Sequence, residues 1–156
     1  MVEILVVIAI LGVLLSIGFL VLPRDRILVN QAVERFERDL QRSRFNAISY
    51  NTRVLFAVDP ANDRYGAAPI PNVAGVQRAR FTVDLAAEGL GGVEIAPVNS
   101  GGATCDGAAP TGSGEWQFDS RGVGRFDGIT LVTFRHAGSG FAVSLCVNAY
   151  GRVERL

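Results

Sequence analysis

Nineteen consecutive apolar or small residues, Ile4 to Leu22, follow directly on a single glutamate, Glu3. As an α-helix such a run is roughly 28 Å long, close to the hydrocarbon thickness of a bilayer. A cleaved signal peptide would begin with basic residues and end in a small-residue cleavage site; here an acid leads and no Ala-x-Ala follows, so the run is expected to be retained. A carboxylate facing hydrocarbon is costly, so Glu3 is expected either to have a partner or purpose or to snorkel to the membrane surface. Gly12 and Ser16, four residues apart, offer a small-residue face to a second helix.

Pro23 cannot donate a backbone hydrogen bond and its ring opposes the preceding turn, so a kink or local melting of the helix is expected there, with Arg24, Asp25 and Arg26 marking the exit into water. Helical periodicity then resumes. Val29, Val33, Phe36, Leu40, Ala47 and Ile48 recur at three- or four-residue spacing, interrupted by Arg44, while Glu34–Arg38 and Arg35–Asp39 are expected as ion pairs on the outer face. Together the two halves predict one kinked helix of about 45 to 50 residues, much longer than an average globular helix.

Beyond Tyr50 the pattern changes to short alternating runs between turn residues. Residues 52–59, 78–85, 92–98, 115–119, 129–135, 141–148 and 152–156 read as strands, "PANDRYG", "SRGVGRFDG" and "HAGSG" as turns, and 99–114 as a glycine-rich surface loop. The expected fold class is α+β: a long N-terminal helix kinked near Pro23, packed on a C-terminal antiparallel β-rich head of two small sheets or a sandwich. Three segments follow: 1–26, the transmembrane half of the helix; 27–50, the amphipathic half packed on the head; and 51–156, the head itself.

The formal net charge is zero, which argues against global steering toward nucleic acid or anionic lipid. The distribution is uneven. Residues 53–119 hold four arginines and eight acids, whereas 121–156 hold five arginines and two acids. No enzymatic arrangement is visible. His136 is the sole histidine and is expected as an exposed turn residue, "GVGRFDG" lacks the spacing of a phosphate loop, and two cysteines with one histidine make no convincing zinc site. Neither cofactor nor metal is expected.

The order "VEILVVIAILGVLLS", the proline after the apolar run and the amphipathic continuation resemble the type IV pilins and pseudopilins. Within the head, Trp116 and Phe118, the strand 128–134 and the closing "GRVERL" look like the H-type pseudopilins and FimT-like minor pilins. The resemblance implies a non-enzymatic subunit that inserts once in the inner membrane with its head in the periplasm. From there it joins or primes a type IV pilus or a type II secretion pseudopilus. Implied partners are other pilins through the N-terminal helix, a prepilin peptidase and an inner-membrane assembly platform. Glu3 falls on the family's glutamate, whose carboxylate would meet a neighbour's N-terminal amine and set subunit register. The family's basic leader and the glycine before its cleavage site are not in this sequence, so the mature N-terminus, with its processing and methylation, is expected just upstream of Met1.

Two further expectations follow from the resemblance. A head outside the cytoplasm favours a Cys105–Cys146 disulfide over two free thiols, worth roughly 4 kcal/mol by chain entropy. FimT-like proteins of transformable bacteria bind DNA through a C-terminal glycine-arginine-x-arginine, of which Gly151, Arg152 and Val153 match while Glu154 replaces the second arginine and Arg155 comes one later. The alternative function is therefore DNA capture, with Arg121, Arg125, Arg152 and Arg155 as the candidate phosphate contacts.

Overall fold

The computed structural model describes residues 2–20, 23–70, 80–102, 105, 109–110, 114–125, 129–148 and 150–156. Helix α1 spans Val2–Leu20, 19 residues with Glu3 in the first turn. Among the described residues no helix is long and apolar enough to cross a membrane; the side chains of 13–20, which complete the apolar run, lie outside them.

The helix is interrupted at Pro23, where the sequence predicts a kink or local melting. Pro23 is non-helical, with φ −74° and ψ 80°, and helix α2 occupies Arg24–Ser49. The Pro23 carbonyl accepts the N–H groups of Arg26 at 3.1 Å and Ile27 at 3.3 Å. A residue without an N–H thus serves as the start of α2, where that donor is not needed.

One stripe of α2 is buried: Val29, Ala32, Val33, Phe36, Leu40, Ser43 and Ala47. Arg44 does not interrupt it, because the position next to the core is taken by Ser43, whose hydroxyl donates to the Asp39 carbonyl at 2.8 Å. Ile48, expected on this face, is 47% exposed. The stripe passes through Ala47, and the next residue is turned by about 100° from it.

The strands, in chain order, are β1 (Arg53–Asp59), β2 (Arg64–Ile70), β3 (Phe81–Asp84), β4 (Val93–Ile95), β5 (Asn99–Gly102), β6 (Ala109–Pro110), β7 (Gly114–Phe118), β8 (Gly124–Arg125), β9 (Ile129–His136), β10 (Ala142–Val147) and β11 (Val153–Arg155). They form two antiparallel sheets, ordered β3-β2-β1-β7-β8 and β11-β10-β9-β5-β6, with β4 also paired to β9. Four of these strands, β2, β5, β6 and β8, lie outside the seven that the sequence pattern predicts. β2 pairs with β1 along its whole length, although "RYGAAPI" has few strong strand formers. Its partner supplies what its propensity lacks. β5 and β6 arise inside the expected loop 99–114, where Asn99 and Ser100 find partners on β9 and β6, and β8 lies within an expected turn, paired to β7.

Phe36 joins the two layers. Its ring meets Phe56 of β1, Tyr65 of β2 and Trp116 of β7 in the first sheet and Phe134 of β9 in the second, at centroid distances of 5.4, 5.2, 6.2 and 5.3 Å. All four contacts are edge-on, the arrangement aromatic quadrupoles favour. Buried Val54, Trp116, Phe118, Val132, Leu145 and Val147 complete the two inner faces.

Cys105 and Cys146 are disulfide-bonded, with Cα atoms 5.9 Å apart across 41 residues of sequence. The bond ties the stretch between β5 and β6 to β10, so it closes a long loop in the unfolded chain. The Cys105→Ser/Cys146→Ser double variant is expected to lose about 2 to 5 kcal/mol. Denaturant unfolding measures this, and an unchanged midpoint would show that the tie adds no stability.

Candidate assembly surface

Every described large aliphatic side chain of α1 from Val2 to Leu11 is more than half exposed. A helix that is apolar all round is ordinarily buried in protein or lipid. Glu3 stands in its first turn, where free N–H groups favour a carboxylate. Among the described residues Glu3 has no ion pair.

The start of α2 is fastened to the head by two contacts. Arg26 lies over the Phe141 ring, 5.2 Å from its centroid, and the His136 Nε2 is 3.6 Å from an Asp25 carboxylate oxygen. His136 was expected as an exposed turn residue; its side chain is instead only 15% exposed, sheltered where β9 ends beside Gly92 and α2. The Ser139 N–H donates to His136 Nδ1 at 3.3 Å. That nitrogen must therefore carry its lone pair in the neutral ring, leaving Nε2–H to face Asp25.

Arg35–Asp39 was expected on the outer face of the helix, but Asp39 is 8% exposed. Its carboxylate accepts the Tyr65 hydroxyl at 3.0 Å and lies 3.8 Å from Arg35 Nε, while Arg35 reaches Glu88 at 2.9 Å. A buried carboxylate needs such partners. Burial, followed by the adjacent Asp39 charge and hydrogen bond, pushes the Tyr65 hydroxyl well above the usual tyrosine range. Since the folded form resists losing this proton, the associated stability is intact below about pH 10 and falls as pH rises beyond it. Tyr65→Phe is expected to cost about 1 to 3 kcal/mol at neutral pH, because Asp39 loses its donor, and to remove that alkaline dependence. Urea unfolding at pH 7 and pH 10.5 reads both effects.

The four candidate DNA-binding arginines do not form one cluster of free cations. Arg155 makes a bidentate pair with Glu37 on α2, at 2.8 and 3.0 Å. Arg121 lies 3.4 Å from Asp119, whose carboxyl is held below its ordinary range by backbone N–H groups of Val123 and then Arg121. Arg152 is exposed in the turn before β11, and the Arg125 side chain lies outside the described residues. The basic excess of 121–156 is further reduced by Arg135, bound to Glu94 at 2.9 Å. Glu37 and Glu94 come from distant parts of the chain, so sequence counting could not show the neutralisation of Arg155 and Arg135. Among the described residues no cluster of metal-ligating side chains occurs.

A family model described as "Type II transport protein GspH" matches residues 32–151. The chain belongs to the GspH family. The matched span covers most of α2 and the head through β10, and leaves α1 and β11 outside. Among solved structures, the GspH-family chain is similar to the minor pseudopilin EpsH of the type 2 secretion system of Vibrio cholerae. The TM-score is 0.55 at 12% identity, over 82% of this chain and 95% of that one. It is also similar to the type IV minor pilin FimU of Pseudomonas aeruginosa, with TM-score 0.52 and 14% identity over 83% and 88% of the two chains. At these identities the likeness establishes the shared fold. Comparison with curated protein sequences gives no match.

Proposed function

We propose that this GspH-family protein is a minor pilin or pseudopilin, a non-enzymatic structural subunit of a type II secretion pseudopilus or a type IV pilus. The observation that carries this reading is α1: an apolar helix with one charge in its first turn, joined through Pro23 to a GspH-type head. With residues 21–22 the apolar run reaches the length of a bilayer span. The subunit would wait in the inner membrane with its head in the periplasm and then exchange lipid for the helices of other pilins. A prepilin peptidase and an assembly platform are the further partners this route requires. DNA capture is the weaker reading, because Arg155 and Arg121 are engaged by Glu37 and Asp119.

The test is to fractionate cells that express a tagged full-length chain. It is expected in the inner membrane and in sheared filaments or pseudopili, and deletion of its gene is expected to impair secretion or piliation. A chain found only in the membrane fraction, with both processes intact in the deletion strain, would overturn the reading.

A further inference from the structure

The second half of α2 turns an unusual face to solvent. Phe45 is 67% exposed and Ile48 is 47% exposed, on a helix whose opposite face is fully buried. Arg42 stands three residues before Phe45 and Arg38 four before Arg42, so at 100° per residue Arg38, Arg42 and Phe45 share one outward stripe. Arg38 has no ion pair among the described residues. The Arg42 guanidinium lies over Phe81, 5.3 Å from the ring centroid, which holds it in place without neutralising it.

Beside this stripe, Arg35, Arg38 and Arg42 line a cleft of about 530 Å³ whose other wall includes Glu88 and Leu90 from the turn between β3 and β4. An exposed aromatic side chain next to two guanidinium groups that no carboxylate neutralises, beside an open cleft, is a surface suited to a partner. Covered by a partner, the same groups form the apolar centre and charged border of an interface.

We propose that the outward face of α2 around Arg38, Arg42 and Phe45, with the adjoining cleft, docks a carboxylate-bearing head segment of a different filament subunit; this rests on the assembly role above. Charge decides the kind of partner. Glu88 and Asp39 also line the cleft, so a polyphosphate backbone would meet fixed negative charge there, whereas a peptide can place a carboxylate on Arg38 and its amides against Glu88. A second copy of this chain fits poorly. Among the described residues its carboxylates without an ion pair are Glu3, Glu34, Asp59, Asp63, Glu115 and Glu154; Asp59 and Asp63 are taken up by the N–H groups of Ala61 and Ile95, and the other four are scattered over α1, α2, β7 and β11.

The experiment places the photo-crosslinking amino acid benzoylphenylalanine at position 45, and separately at position 6 on α1, in the full-length chain in its native cells. Position 45 is expected to give one main adduct with another pilin-type subunit, mapped by mass spectrometry beside an Asp or Glu. Arg38→Glu should reduce that adduct at least tenfold without lowering the thermal midpoint, and reversing the partner's acid to Arg should recover it. Adducts from position 6 but none from position 45, or adducts at 45 only with a second copy or with DNA, would overturn the docking proposal. Absence of adducts from both positions would overturn the assembly role on which it rests.

Discussion

Glu3→Ala is expected to remove the protein from filaments while leaving it in the inner membrane. In the proposed assembly the carboxylate leaves the lipid interface for a core of packed helices, where it meets a neighbour's terminal amine. Both charges are desolvated there, and their attraction offsets that cost only while both are present. Removing one partner strands the other, at about 3 to 5 kcal/mol, a loss of roughly 100-fold or more in incorporation. Glu3→Gln keeps the shape but not the charge and is expected to fail similarly. Immunoblots of sheared filaments against membrane fractions measure the ratio. Incorporation of Glu3→Ala at the wild-type level would show that the carboxylate does not set register.

Phe36→Ala is expected to have the largest effect on the head. The ring is fully buried and lies against aromatic side chains from four strands of both sheets. Its loss removes the transfer energy of the side chain and leaves a cavity that the surrounding rings, held in two hydrogen-bonded sheets, cannot close. A cost of about 3 to 5 kcal/mol follows, a large part of the stability of an ordinary domain. Phe36→Leu retains much of the volume and should lose less. Thermal unfolding of the detergent-solubilised full chain, followed by near-ultraviolet circular dichroism, reads both variants. A midpoint for Phe36→Ala within a degree or two of wild type would mean that the sheets hold together without this ring.

The helical stripe of α2 was legible because five of its core residues, Val29, Val33, Phe36, Leu40 and Ala47, keep a period set by the helix itself. The two-sheet α+β head was legible for the corresponding reason, since its stronger strands alternate with a period of two. β2 was not, because Gly66, Ala67 and Ala68 carry no strand signal of their own. A Cβ at Gly66 would come within 2.5 Å of the Phe81 carbonyl oxygen, so the small residue permits the approach of β3. Its value appears only when the neighbour is present. Ionic contacts were the least legible part of the site. Asp39 looked like a surface acid until Tyr65, 26 residues away, proved to be its donor, and Arg155 looked free until Glu37, 118 residues away, was found beside it. Glu3 and Pro23 stood out because each violates its local setting, a charge before an apolar run and an imino acid between helical segments.

Asp63 gives the head a mechanical asymmetry. With φ 50° it ends the short turn before β2, its side chain accepts the Ile95 N–H of the second sheet at 2.8 Å, and its carbonyl accepts the Leu85 N–H. This stitch lies on the side of the head where Asp25 and Arg26 hold the root of α2 to His136 and Phe141. A pull along the helix would therefore enter the head where its two sheets are already cross-tied. Load would be shared by both sheets in shear instead of peeling one from the other.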